Sequence, residues 1–243
     1  MFAVYKKELQ SYFCSPLAYA TGAIFILIFS LSFINWILNL KTVTFSFSFS
    51  TIFYNNFYYL ILLIPALTMK TFSEERKNGT EVLLMSAPLN VFKITMGKFL
   101  ALATVYFCMM ALTFAFPVIA FFTGKVVWSE LLCGYIGFFF WGLVCISLGM
   151  LMSSFTENQI IAAVLGEAVM IGIMFIDTFA NNNFVANNQA LHSVITWLSP
   201  QQRFYSFAKG IFSLDDIIFY ITMIAVVLVW NMISIEKRRW SRG

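Results

Sequence analysis

Six long apolar runs decide what this chain can fold into. Leu17 to Leu38, Ile52 to Met69, Phe99 to Phe122, Leu131 to Ser153, Ile160 to Ile176 and Ile217 to Ile235 are each long enough, or nearly so, for a helix to cross a hydrocarbon layer of about 30 Å. Five of them hold no Asp, Glu, Lys or Arg, and the fifth in order holds only Glu167. They are continuous, without the alternating polarity of a barrel strand. A water-soluble core could not absorb them: 60% of the 243 residues are hydrophobic and 11% charged, where soluble proteins carry roughly 25% charge. The expected fold is an all-α polytopic membrane protein with six transmembrane helices, forming one domain over residues 1–243. The first run exceeds the roughly 7–15 residues of a signal sequence and no small-x-small site follows it, so it reads as an uncleaved span.

An even number of spans puts both termini on one side, and Lys and Arg say which side. The segments that share the termini's side hold Lys6, Lys7, Lys70, Arg76, Lys77, Lys93, Lys98, Lys237, Arg238, Arg239 and Arg242, 11 of the 15 cations; Lys41, Lys125, Arg203 and Lys209 fall on the other. Cytoplasmic termini are expected, and Asn78-Gly79-Thr80 then lies where no glycan is added. The net charge of +4 is too small to suggest a nucleic-acid partner. Cys14, Cys108, Cys133 and Cys145 lack metal-ligand spacing, and His192 is the one histidine. All four cysteines read as small core residues, and no cofactor is expected in the chain.

Three segments outside the spans carry information. Phe2, Tyr5, Leu9, Tyr12 and Phe13 recur at helical spacing opposite Lys6, Lys7, Glu8, Gln10 and Ser11, which predicts a helix lying in the membrane interface. Between spans five and six, after Asn181–Asn183, Asn187 and Asn188, the run Ser199-Pro200-Gln201-Gln202 has the form of a capping box with Pro at the first helical position. Phe204, Phe207, Ala208, Ile211 and Phe212 follow on one face, predicting a short outer helix that dips into the membrane only if protein satisfies its ends. Ser213-Leu214-Asp215-Asp216 then starts the last span, with acids at the positive end of its dipole.

The third segment is the most charged in the chain. It runs Lys70-Thr71-Phe72-Ser73-Glu74-Glu75-Arg76-Lys77-Asn78-Gly79-Thr80-Glu81-Val82-Leu83-Leu84-Met85-Ser86-Ala87-Pro88. Gly79 is placed to end one helical turn, Thr80 to cap the next and Pro88 to stop it. Four consecutive large hydrophobes, Val82 to Met85, need a protein partner or the membrane interface to cover them. Glu74-Glu75 resembles the paired glutamates of membrane-embedded CAAX-type proteases, but those enzymes need histidines within their spans and His192 lies in the outer loop. No GxxxxGK[ST] loop occurs, so the chain is not expected to hydrolyse nucleotide or to be an enzyme.

The stretch Phe72 to Pro88 resembles the permease subunits of ABC transporters of the second, exporter type. Within them it is similar to permeases associated with gliding motility and with nitrous-oxide-reductase maturation; Leu198-Ser199-Pro200, Gly210 and Asp215-Asp216 are a second match. The resemblance implies a half-transporter in the bacterial inner membrane, paired with a second permease chain, homologous or identical. It also implies separate ABC ATPase subunits that bind Mg-ATP. Thr80 to Ser86 would be a coupling helix docking on the ATPase, with Glu74, Glu75, Arg76, Gly79, Thr80, Glu81, Leu83, Leu84 and Pro88 as coupling residues. The alternative is a membrane anchor that couples an ATPase to an envelope machine without moving substrate.

Glu167 stands apart from that pattern. A carboxylate near the middle of a span costs a few kcal/mol unless protonated or paired. It reads either as a pathway or interface residue or as a neutral acid bonded to a neighbouring helix. Gly134, Gly137, Gly142 and Gly149 read as close-packing positions, and Pro65 and Pro117 as kinks.

Overall fold

The computed structural model describes residues 1–38, 46–81, 90–123, 125–180 and 189–241. In chain order the elements are α1 (Phe2–Phe13), α2 (Pro16–Leu38), β1 (Ser46–Phe47), α3 (Ser50–Thr68), α4 (Lys70–Lys77), α5 (Val91–Thr113), α6 (Ala115–Thr123), β2 (Lys125–Val126), α7 (Trp128–Phe155), α8 (Gln159–Ala180), α9 (Gln189–Leu198), α10 (Pro200–Ala208) and α11 (Leu214–Ser241). Among the described residues six helices are long and apolar enough to cross a membrane: α2, α3 with α4, α5 with α6, α7, α8 and α11. Helices are what such sequences must form in lipid, where each backbone N–H and C=O needs a partner within its own segment.

The third span starts eight residues earlier than the run Phe99 to Phe122 suggests, because Lys93 and Lys98 read as loop charges while α5 already begins at Val91. One of the two breaks within spans comes from a proline. Pro117 cannot donate to the carbonyl of Thr113, and α5 gives way to α6 at Phe114. The second span is interrupted at Met69, four residues past Pro65, whose carbonyl accepts the Met69 N–H at 2.8 Å. Ser153 of α7 fills that break: its Oγ donates to Met69 O (2.9 Å) and accepts from the amides of Phe72 (3.0 Å) and Ser73 (3.2 Å).

The helix α7 is the hub, packed against α3, α4, α5, α8, α10 and α11. Its glycines admit the neighbours. A Cβ at Gly142 would overlap the Tyr106 ring, one at Gly149 would overlap Thr68 Oγ1, and one at Gly134 would overlap Phe53. Tyr106 OH donates to Phe138 O at 2.9 Å across the same contact, and Trp141 Nε1 donates to Phe57 O at 3.3 Å. By contrast α8 turns most of its surface outward.

Both termini lie at one end of the bundle, since Ser154 of α7 meets Ser234 of α11 at 3.3 Å beside α4, where α1 also packs. At the far end, Ser46–Phe47 pairs in parallel with Lys125–Val126, joining the connection after α2 to that before α7. There α10 folds inward as expected of a dipping helix: Ser199 Oγ accepts from Gln202 N (3.4 Å), Phe204 stacks 4.6 Å from Phe57, and Phe207 lies on Gly137. Its broken ends are satisfied by protein, with Tyr220 OH donating to Pro200 O (2.8 Å) and Arg203 to Trp197 O (3.0 and 3.1 Å). Ile211 and Phe212 do not share the buried face; α10 has ended, and Gly210 turns the chain at φ 79°. A preceding helix, α9, was not expected from the sequence.

Two further expectations are corrected. Cys133 and Cys145 are buried, but Cys14 and Cys108 are exposed and so are not core residues. Within α1 the buried stripe is Val4, Glu8 and Tyr12, spaced four apart, whereas Phe2 and Phe13 are exposed. The stripe faces α5, where Lys98 meets Glu8, and so a charge shares the inner face with Val4 and Tyr12 while Phe2 and Phe13 stay outside.

Candidate functional site

The charged segment between spans two and three forms α4, which is amphipathic in an unusual sense. One side is fastened to the bundle by polar contacts. Lys98, 1% exposed, enters from α5 and places Nζ 2.9 Å from Glu75 Oε1 and 3.0 Å from Glu8 Oε1, while donating to Thr71 O at 2.8 Å. A lysine this deeply buried needs such partners to keep its charge. Three helices, α1, α4 and α5, meet at that one ammonium. Lys7 adds a second, exposed cation 3.5 Å from Glu75.

Around this point lies a polar cleft of about 190 Å³ between α1 and α4, with Glu8, Tyr12, Lys70, Glu74, Glu75 and Lys98 in its walls. Tyr12 OH bonds Thr71 Oγ1 at 3.1 Å and Lys70 Nζ stands 4.8 Å over the Tyr12 ring. Burial holds the Tyr12 phenol well above its ordinary pKa; nearby Glu8, Glu74 and Glu75 reinforce this, and the Thr71 bond opposes it. Tyr12 is therefore a neutral structural phenol.

Arg76 fastens the opposite flank, reaching Ser154 O (3.2 Å), Glu157 (3.3 Å) and Glu81 (3.6 Å). The helix then closes. Asn78 N donates to Glu74 O and Gly79 N to Arg76 O, and Gly79 adopts φ 70°, the left-handed conformation that ends a helix. Thr80 Oγ1 donates back to Glu75 O at 3.2 Å, so among the described residues its hydroxyl closes α4.

Of the residues singled out in the sequence, Glu75, Arg76 and Glu81 are thus engaged within the chain. Glu74, Lys77, Asn78, Gly79 and Thr80 remain on the surface. Leu83, Leu84 and Pro88 lie outside the described residues, as do Asn181–Asn183, Asn187 and Asn188. Glu167 is half-buried on α8, beside Gly166, which packs on Pro65; it forms no ion pair among the described residues.

Lys98 and Glu8 were missed by reading charge as loop or solvated face. The signal was present: Lys98 directly precedes the uncharged run Phe99 to Phe122, and Glu8 sits midway between Val4 and Tyr12 on one helical stripe.

A family model described as ABC-2 family transporter protein matches residues 41–235, four-fifths of the chain. The chain belongs to that family. No curated protein matches the permease significantly. The matched segment includes α4, Lys98 and Glu167, while α1 with Glu8 precedes it. Members of this family are membrane components of ABC transporters rather than nucleotide-binding chains, which agrees with the missing phosphate loop. The permease is a multi-pass membrane protein.

Proposed function

We propose that this permease is the membrane half of an ATP-driven exporter, coupled through the segment after α4 to separate ATPase chains that bind Mg-ATP. The observation that carries the reading is the two-sidedness of α4. Its inner side is tied to α1, α5 and α7 through Lys98, Arg76 and Ser153, while Glu74, Lys77, Asn78, Gly79 and Thr80 lie open and are followed in the sequence by the hydrophobic run Val82 to Met85. A force applied there passes directly into three spans. The charged end is then cytoplasmic, in keeping with the 11-to-4 split of cations, and the membrane is the bacterial inner membrane. A second permease chain completes the transporter, with the outward surface of α8 and Glu167 as the candidate contact. Within the family, the motif from Phe72 to Pro88 aligns the permease with the gliding-motility and nitrous-oxide-reductase-maturation groups.

Co-purification of the permease with candidate ABC ATPase chains from the same cell tests the reading. Replacing Leu83 and Leu84 together by Asp should abolish association, because interface energy concentrates in a few desolvated anchors. Association that survives the double change overturns the coupling assignment. ATPase activity in the assembled complex that no candidate substrate alters favours the non-transporting anchor.

A further inference from the structure

Buried polar side chains in this bundle find partners with few exceptions. The hydroxyls of Thr21, Thr68, Thr71, Thr113, Ser147 and Ser154 each donate to a carbonyl three or four residues back, Ser153 donates to Met69 O, and Asn56 Nδ2 donates to Ile52 O. Two side chains break the rule. Thr95 Oγ1, and both Nδ2 and Oδ1 of Asn231, have no hydrogen-bond partner among the described residues, although each residue is 0% exposed. Arg76 Nε is the remaining buried atom of this kind among them, and it stands 3.6 Å from Glu81 in an ion pair.

The two exceptions lie at one depth, on helices that pack together. α7 and α11 run in the same direction and meet at Ser154 and Ser234. One turn back along each, Met150 and Leu151 come level with Asn231. α5 runs the opposite way, with Tyr106 OH on Phe138 O. Thr95 shares the Tyr106 stripe, three turns nearer the charged end, where Lys98 meets Thr71 O and Ser153 meets the Phe72 amide. That is the level of the last two turns of α7, and α11 packs against both α7 and α5.

The chemistry of these groups narrows the ligand. The Asn231 amide offers two N–H donors beside an acceptor, and the Thr95 hydroxyl both gives and takes. A cation would take the two oxygens and leave the N–H groups bare, at the cost that an unpaired buried donor carries. A larger polar molecule does not suit side chains that are 0% exposed. Water donates and accepts, fits a closed interior, and in such places makes about three hydrogen bonds to otherwise unpaired groups. Three such atoms stand here.

We propose that an internal water site joins α5 to α11 at Thr95 and Asn231, water accepting from Asn231 Nδ2 and donating to Asn231 Oδ1 and Thr95 Oγ1. Its place gives it a role. α5 and α7 are fastened to α4 by Lys98 and Ser153, through charge and direct bonds, whereas α11 is held to α5 through water. A water re-aims its bonds when its neighbours shift, so span six keeps its buried amide satisfied through small displacements against spans three and four. The inference stands apart from the transport reading, since it concerns only how these three helices are joined.

The full-length permease in nanodiscs, without ATPase or substrate, tests it. A pulse of hydroxyl radicals generated from water by X-rays oxidises side chains next to bound water, and mass spectrometry reads each methionine. Met150 and Met170 are both 0% exposed, and Met150 is the one level with Asn231. Met150 should oxidise several-fold faster than Met170, and the excess should vanish in Asn231→Leu and fall in Thr95→Val. Equal rates in the parent, or an excess that both variants keep, overturns the proposal. If Asn231→Leu does not assemble, Thr95→Val decides, since it keeps the shape of the side chain. Melting temperatures give a second reading. A shared water makes the two substitutions non-additive, so Thr95→Val should shift the melting temperature far less in the Asn231→Leu background than in the parent; equal shifts overturn the shared site. A parent whose melting temperature rises with sodium over choline, where Asn231→Leu does not respond, holds a cation there and overturns the water assignment.

Discussion

The two ends of the bundle are held by different forces. At the charged end, helices meet through ions and hydroxyls: Lys98 with Glu8 and Glu75, Arg76 with Glu157 and Glu81, Ser153 with the break at Met69. At the far end, rings stack on rings, among them Phe29 with Phe53 and Phe116, Phe57 with Trp141 and Phe204, and Tyr54 with Tyr205; one ion pair, Arg203–Asp216, has its guanidinium 4.2 Å from the Phe219 ring. Ionic ties in a buried place tolerate little displacement, because a charge that loses its partner there is strongly penalised. Ring contacts are weaker singly and keep most of their value through small shifts. The charged end is thus joined by ions and hydroxyls that need their partners in place, and the far end by many separate ring contacts.

Removing the central cation should test this contrast most severely. Lys98→Met leaves Glu8 and Glu75 facing each other with the exposed Lys7 as the cation beside them (3.9 and 3.5 Å), and should cost about 3–5 kcal/mol, read as a large drop in melting temperature in detergent. Combining it with Glu8→Gln and Glu75→Gln should restore most of the loss; a triple variant no better than the single would show that the ions are not what binds α1 to α4. At the far end, Arg203→Leu strips Asp216 of its partner and Trp197 O of two donors. It should cost about 2–3 kcal/mol, less than the charged end, since the Arg203 side chain is 12% exposed where that of Lys98 is 1% exposed. Equal losses at the two ends would erase the distinction.

Gly149→Ala probes the hub between them. Its Cβ would overlap Thr68 Oγ1, and a loss of about 1–3 kcal/mol is expected. Thr68→Ala in the same chain should recover part of it. Smallest of all, Lys77→Ala on the open side of α4 should change stability by no more than about 0.5 kcal/mol while lowering association with the ATPase, measured as a several-fold weaker co-purification. A fall in melting temperature instead would mean that Lys77 belongs to the fastened side.

Much of the architecture could be read from run length alone, because lipid allows a 20-residue apolar segment few alternatives. The start of the last span at Leu214, the Ser199 cap and the Gly79 turn were legible for a similar reason: each depends on a few neighbouring residues. The beginning of α5 was obscured by Lys93 and Lys98, although a local cap starts it: Asn90 Oδ1 accepts from Phe92 N at 3.2 Å. The inner face of α1 was not legible, because it hinges on Lys98 and Glu8, which look like surface charges until residues ninety positions apart are brought together. The candidate site divides along the same line. Its surface, Glu74 to Thr80, is a local pattern, whereas the inward engagement of Glu75 and Arg76 depends on α5 and α7 and could not be seen in one segment.

The short pairing of Ser46–Phe47 with Lys125–Val126 has a consequence for how the chain is made. Spans one and two can enter the membrane as a hairpin while the ribosome still holds the rest, but β1 has no partner until β2 has emerged with span four. In chain order the pairing can therefore form only once span three and the connection before span four have been made, and it then ties the connection that follows the first span to the one that follows the third.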